Sequence, residues 1–272
     1  EPRLVRMMIG RDLDDDLERP SLRQGRRLLE VKDLRAAGIA GPCTFHVDQG
    51  EIVGLFGLVG AGRTELFKGL FGALPRTDGE VKLDGRSVRI SSPSAAIELG
   101  IGLVPESRKE EGLVLGLSVE KNMTICLWQT MQRMGFLLGR LLRQTSSDYV
   151  KRLDVKTPGL RQEVRNLSGG NQQKVVLAKW LAKQCRVLVL DEPTRGIDVG
   201  AKREIYHLIR ELAGQGLGII MISSELSEVM SLSHRILVMR KGRIVAEYPA
   251  NAADKETILS KAMGVKTNGN HA

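Results

Sequence analysis

Apolar residues along the chain follow two spacings. Short uninterrupted or alternating runs predict strands at Leu28–Val31, Glu51–Phe56, Glu80–Leu83, Ser87–Ile90, Val187–Leu190, Leu217–Ser223, Arg235–Met239 and Arg243–Glu247. The runs at 187–190 and 217–223 are apolar throughout, the pattern of parallel strands covered on both faces. Asp84-Gly85 and Lys241-Gly242 divide neighbouring runs as two-residue hairpin turns. Helical spacing lies between the strands: Ile205, Leu208, Ile209 and Leu212 share one face before Gly214, and Leu177 and Leu181 sit one turn apart in the run Val175–Lys183. Strands alternating with helices predict an α/β fold around a parallel sheet.

Residues 105–170 break that alternation. They are helical in pattern, Met-rich between Met123 and Met134, and without a buried strand run, so they read as a helical subdomain inserted into a domain spanning 25–265. Residues 1–24 read as a short helix followed by a charged linker, and 266–272 as a polar, disordered tail. Leu4, Val5, Met8, Ile9 and Gly10 repeat the spacing of Ile258, Leu259, Ala262, Met263 and Gly264. This is either coincidence over seven residues or an internal repeat, in which the chain opens with the tail of an upstream copy of itself.

Composition narrows the class. Of 272 residues, 42% are hydrophobic and 27% charged, ordinary for a folded domain. The 41 Lys and Arg exceed the 32 Asp and Glu, a net charge of +9 that suits a partner rich in phosphate or an anionic membrane face. No run of about 18 apolar residues is present to span a bilayer, and no secretory signal opens the chain. Cys43, Cys126 and Cys185 stand far apart, which argues against a disulfide scaffold or zinc site and fits a reducing compartment. The 30 glycines exceed typical usage and point to close backbone approaches.

Three motifs carry chemistry. Gly57, Gly60, Ala61, Gly62, Arg63 and Thr64 follow the strand 51–56 and open a helix that ends near Gly72, the frame of a phosphate-binding loop with Arg63 where Lys is usual. Glycines there let backbone N–H groups turn toward an anion at a helix N-terminus, and Thr64 offers a hydroxyl to Mg²⁺. A plain strand–turn–helix link would show a similar run. Asp191 and Glu192 end a buried strand, where the first suits a Mg²⁺ shell and the second the polarisation of an attacking water; helix-capping acids are the alternative. Ser168, Gly169 and Gly170 precede a helix as a second bare, positive terminus, equally readable as an ordinary helix start.

In this order and spacing the motifs resemble the ATP-binding cassettes of ABC transporters, over residues 28–264. Leu167-Ser168-Gly169-Gly170 with Asn171 and Gln172 resembles the family signature, Asp191-Glu192-Pro193-Thr194 its acidic strand end, and Gly196-Ile197-Asp198 its D-loop. The resemblance implies a P-loop NTPase with a RecA-like parallel sheet, an antiparallel β subdomain and an inserted helical subdomain. It also implies ATP and Mg²⁺ as ligands, held by Gly57–Thr64 and Asp191, with Glu192 catalytic. In that family two cassettes meet head to tail, so Ser168, Gly169, Gly170 and Gln172 would face a partner's ATP. More narrowly, Gly60–Glu65, Val104–Arg108 and Ser223–Leu226 resemble the second cassette of bacterial monosaccharide importers. That implies a first cassette upstream in the same polypeptide or as a dimer partner, a transmembrane permease, an external sugar-binding protein acting indirectly, and a place on the cytoplasmic face of the membrane.

The chain departs from the family at Glu106, where most members carry Gln, at Ser224, where they carry His, and at Arg63; no adenine-stacking aromatic lies near Leu34–Ala37. The expected consequence is asymmetry: an intact signature and Glu192 beside a poor phosphate loop. A non-hydrolysing regulatory module, or a soluble relative acting on nucleic acid or ribosomes, are the alternatives. Against the second, aromatics are only 4% and no basic run is interleaved with them, so no nucleic acid is expected. His46, His207, His234 and His271 are scattered and read as structural or surface residues, and Trp128 and Trp180 as helix-packing ones. Arg108-Lys109-Glu110-Glu111 reads either as a solvated turn or, by the resemblance, as a neighbour of the permease.

Overall fold

A computed structural model describes residues 25–265; the expected upstream tail at 1–24 and the polar tail at 266–272 lie outside the described residues. Twelve strands are ordered β1 (Arg27–Ala36), β2 (Cys43–Asp48), β3 (Ile52–Phe56), β4 (Arg76–Leu83), β5 (Arg86–Ser87), β6 (Ile101–Val104), β7 (Gln132–Arg133), β8 (Phe136–Leu137), β9 (Val187–Asp191), β10 (Gly218–Ile222), β11 (Arg235–Arg240) and β12 (Arg243–Pro249). The α-helices are α1 (Arg63–Leu70), α2 (Pro93–Glu98), α3 (Val119–Thr124), α4 (Gly139–Arg152), α5 (Gly169–Ala182), α6 (Val199–Gly214), α7 (Leu226–Leu232) and α8 (Lys255–Met263).

Among the described residues the central sheet runs β12-β11-β3-β10-β9-β6, parallel except for the antiparallel edge strand β12. Every residue of β3, β9 and β10 is buried, as their unbroken apolar runs predict. A second, antiparallel sheet β2-β1-β4-β5 packs beside it. The expected α/β fold with a parallel core and an antiparallel β subdomain is present. Both hairpin turns occur, with φ positive at Asp84, Gly85, Lys241 and Gly242. The return strand expected over 87–90 is shorter: β5 ends at Ser87, and the chain leaves the sheet for Ser92, whose hydroxyl caps α2.

Residues 105–170 hold α3, α4, a π-helical turn at Arg108–Gly112 and a small hairpin, β7–β8, that periodicity did not signal. Near the far end, Ile258 and Ala262 are buried on α8, and Gly264 closes the helix in the left-handed conformation. The other half of that repeated pattern falls at 4–10. Trp180 is buried edge-on to Phe71. His234 accepts a hydrogen bond from the Ile52 N–H at Nδ1 (2.9 Å), a structural role, and His207 is exposed; His271 lies outside the described residues.

Candidate nucleotide site

β3 delivers the chain to the C-terminal edge of the parallel sheet. Gly57 is buried there, and Leu58, Val59 and Gly60 stand exposed, Val59 at 93%. Gly60 and Gly62 take φ of 79° and 93°, a conformation costly for any residue with a Cβ. Gly62 precedes α1 with no side-chain cap, so first-turn N–H groups are left for an external acceptor. Arg63, the first residue of α1, sends its guanidinium to Glu192. Nη1 lies 3.5 Å from Oε1, both side chains are 11% exposed, and Nη1 has no hydrogen-bond partner.

Opposite the loop, β9 ends at Asp191, 3% exposed. Burial pushes its carboxyl up to about 6, against a hydrogen bond from the Thr64 hydroxyl that pulls it down. Glu192 sits at φ 47°, its N–H bound to the Ile222 carbonyl (2.9 Å). Ser224 donates to Glu192 Oε2 (3.2 Å). Burial raises the Glu192 carboxyl, while Arg63 and Ser224 draw it back. The structure therefore gathers Arg63, Thr64, Asp191, Glu192 and Ser224 at the mouth of β3, β9 and β10. These residues fit a Mg²⁺-bound polyphosphate. Thr64 and Asp191 are hard oxygen donors, the buried carboxyl lacks a full counter-charge, and the glycine loop and the orphaned Arg63 nitrogen suit phosphate oxygens.

Glu106 does not join them. It follows β6 and pairs in close contact with Arg195. Asp198 is exposed and caps α6, accepting from the Ala201 N–H at 2.9 Å.

Ser168 is exposed at the start of α5, its hydroxyl accepting from Asn171 Nδ2 (2.8 Å). A Cβ on Gly170 would lie 2.6 Å from the Ala201 Cβ, so close packing requires that glycine; one on Gly169 would lie 2.7 Å from Arg108 Nη2, the end of a flexible side chain, and 3.2 Å from the Gly196 carbonyl. Gln172 points elsewhere: it is buried, and its amide donates to the Val164 carbonyl (3.2 Å). One turn into α5, its position falls on the inward face. Among the described residues no hydrogen bond or ion pair joins Ser168–Gly170 to Gly57–Thr64.

Sequence reasoning missed Glu228. This buried carboxylate receives Thr194 Oγ1 (2.6 Å), Ser223 Oγ (2.7 Å), Tyr206 OH (2.5 Å) and Lys202 Nζ (3.2 Å), tying the residues around Glu192 and Ser224 to α6. Its signal was an acid on the same helical face as the apolar Val229 and Leu232.

Residues 41–195 match the ABC transporter family. The chain is 47% identical over 261 residues to a ribose import ATP-binding protein of Rhodococcus jostii (strain RHA1), covering 96% of this chain and 52% of that protein. It is 46% identical over 267 residues to a protein of the same description from Clostridium perfringens (strain 13 / Type A), covering 97% and 53%. A putative ribose/galactose/methyl galactoside import ATP-binding protein of Albidiferax ferrireducens is 47% identical, covering 95% and 52%. The chain thus spans about half the length of these relatives. Among solved structures, a nucleotide-free ATP-binding cassette from an ABC transporter superposes with a TM-score of 0.73 at 18% identity, covering 88% of this chain and 98% of that one. A dimeric cassette in a post-hydrolysis state bound to ADP and Pi gives 0.69 at 19%, covering 82% and 99%. Both are likenesses of fold.

Proposed function

Because this chain belongs to the ABC transporter family, we propose that it is an ATP-binding cassette of a monosaccharide importer whose own phosphate-loop site is degenerate and whose signature turn completes the site of a first cassette. That first cassette lies upstream in the same polypeptide or in a dimer partner; relatives about twice as long as this chain favour the former. The pair works beneath a transmembrane permease on the cytoplasmic face, supplied by an external sugar-binding protein. No helix among the described residues is long and apolar enough to cross a membrane.

The contact between Arg63 and Glu192 carries the asymmetry. In the degenerate site the backbone of Gly57–Thr64 would hold the phosphates, with Thr64 and Asp191 holding Mg²⁺. When bound, Mg²⁺ neutralises charge on the phosphate oxygens. Glu192 should then accept a proton from water, but although burial raises its carboxyl, Arg63 draws it partly back and holds Oε1 in an ion pair at 3.5 Å. Ser224 donates to the same carboxylate and offers no imidazole to a phosphate. Glu106 stands where the family has Gln and pairs at the surface with Arg195. Ser168, by contrast, is exposed and presented at a helix terminus.

ATP turnover by the full-length protein tests this reading. Ser168→Arg is expected to lower kcat about tenfold or more, and Arg63→Ala less than about threefold. Equal losses would overturn it. The regulatory alternative, in which this chain binds ATP without hydrolysing it and only completes a partner's site, requires the isolated chain to show no steady-state ATPase activity.

A further inference from the structure

We infer that Arg108 is a positioning residue that fastens the signature turn to the D-loop, so that Ser168–Gly170 and Asp198 meet a partner cassette as one preset surface. This rests on the reading that both motifs face a partner.

Arg108 opens the π-helical turn Arg108–Gly112, where it would ordinarily be a solvated charge. Its guanidinium instead crosses to the loop after β9. Nη1 donates to the Arg195 carbonyl at 2.7 Å, and Nη2 to the Gly196 carbonyl at 3.1 Å. Two successive carbonyls matched by one planar fork is a geometry that lysine cannot reproduce. The same Nη2 occupies the space beside Gly169, 2.7 Å from where a Cβ would stand, and the Gly196 carbonyl lies 3.2 Å from that point. The guanidinium therefore fills the seam between the first residue of α5 and a loop that reaches Asp198 two residues later. Gly170 closes the seam against Ala201 and Ile197.

Few other bonds hold the loop. Its backbone N–H groups reach back to Glu192 (Arg195 N, 3.1 Å) and Thr194 (Ile197 N, 3.3 Å). Among the described residues the carbonyls of 195 and 196 have Arg108 as their hydrogen-bond donor. The neighbouring pair Glu106–Arg195 is more exposed, with side chains at 39% and 66%, and so contributes little.

The test compares Arg108→Ala, Arg108→Lys and Ser168→Arg in the full-length protein reconstituted with its permease. Arg108→Ala is expected to lower kcat about tenfold with KM for ATP changed less than about twofold, because it displaces a surface used at the transition state rather than the nucleotide's own cradle. Arg108→Lys should recover little of the loss. Free guanidinium ion should restore part of the Arg108→Ala activity and none of that of Ser168→Arg, and the melting temperature without nucleotide should stay at the wild-type value. Wild-type kcat in Arg108→Ala beside an inactive Ser168→Arg would overturn the clamp and leave the cassette reading standing. Wild-type kcat in Ser168→Arg would overturn the cassette reading and the clamp with it. A loss in Arg108→Ala that tracks a lower melting temperature and ignores guanidinium would overturn the clamp in favour of general destabilisation.

Discussion

A carboxyl whose folded pKa is about 6, as at Asp191, destabilises the chain once it ionises without a cation. The folded value lies above the ordinary 3.8, so the folded state binds the extra proton between the two. The cost is absent below the unfolded value, grows as pH rises through the window, and is fully present above about 6. Its size is on the order of 3 kcal/mol. Asp191→Asn is therefore expected to stabilise the nucleotide-free protein at pH 8 and to lose most of that advantage at pH 4, as read from urea denaturation at the two pH values. An advantage independent of pH would mean that Asp191 is not the titrating group. Glu228 makes the opposite case. Glu228→Ala strands three hydroxyls and leaves the Lys202 ammonium with Glu225 alone, and a loss of about 3–5 kcal/mol in the same measurement is expected. That Asp191, Glu192 and Gly57–Thr64 would gather at one end of the sheet was legible because each motif is contiguous and ends or follows a strand. Glu228 and Arg108 were not, because their partners lie up to 34 and 88 residues away, at distances no local pattern encodes. Gln172 lies one turn after Ser168, and what takes its side chain inward is the Val164 carbonyl that its amide bonds, a partner the motif does not reveal.

Elements were legible where the hydrophobic signal was long. The strands β3, β9 and β10 stand within a residue or two of the apolar runs that signalled them. β2 and β6 passed unnoticed. β2 alternates over Cys43–Asp48, and its inward residues Cys43, Phe45 and Val47 are interleaved with Thr44 and His46, a weak signal in six residues. β6 has four residues, one of them Gly102. That glycine has a packing reason: a Cβ there would meet Leu188 Cδ1 at 2.9 Å and the Trp180 ring at 3.1 Å, so α5 rides directly over the edge strand. Gly102→Leu is expected to cost about 1–3 kcal/mol by overpacking. The near-ultraviolet dichroism of Trp180 should change with it, whereas a wild-type melt would show that the seam can give.

At the scale of the molecule, what holds the phosphate loop in place is a junction of three segments far apart in sequence. The turn Lys241-Gly242 joins β11 to β12. The Gly242 N–H donates to the Ala61 carbonyl inside the phosphate loop (2.7 Å), and the Gly242 carbonyl accepts from the Gly41 N–H at the entrance to β2 (3.2 Å). The antiparallel sheet is thus linked to Gly57–Thr64 through the hairpin at the β12 edge of the central sheet. The hairpin turn itself was legible in the sequence, but its contact with Gly57–Thr64 depends on β11 lying beside β3, a strand order that the chain's sequence order does not reveal. Gly242 has φ +68°, and a Cβ there would stand 2.3 Å from the Ala40 nitrogen. Gly85 provides the control, with φ +74° and nothing within 4 Å of its Cβ position. Gly85→Ala should cost only the left-handed strain, about 1 kcal/mol, and leave nucleotide binding unchanged. Gly242→Ala carries the same strain plus a clash with the backbone of Ile39 and Ala40, which the turn can relieve only by shifting, and its N–H bond to the Ala61 carbonyl shifts with it. It should cost at least about 2 kcal/mol and weaken the binding of a fluorescent ATP analogue by about tenfold, since the loop's preset shape is lost. Equal effects of the two substitutions on nucleotide affinity would show that the loop keeps its form without the hairpin.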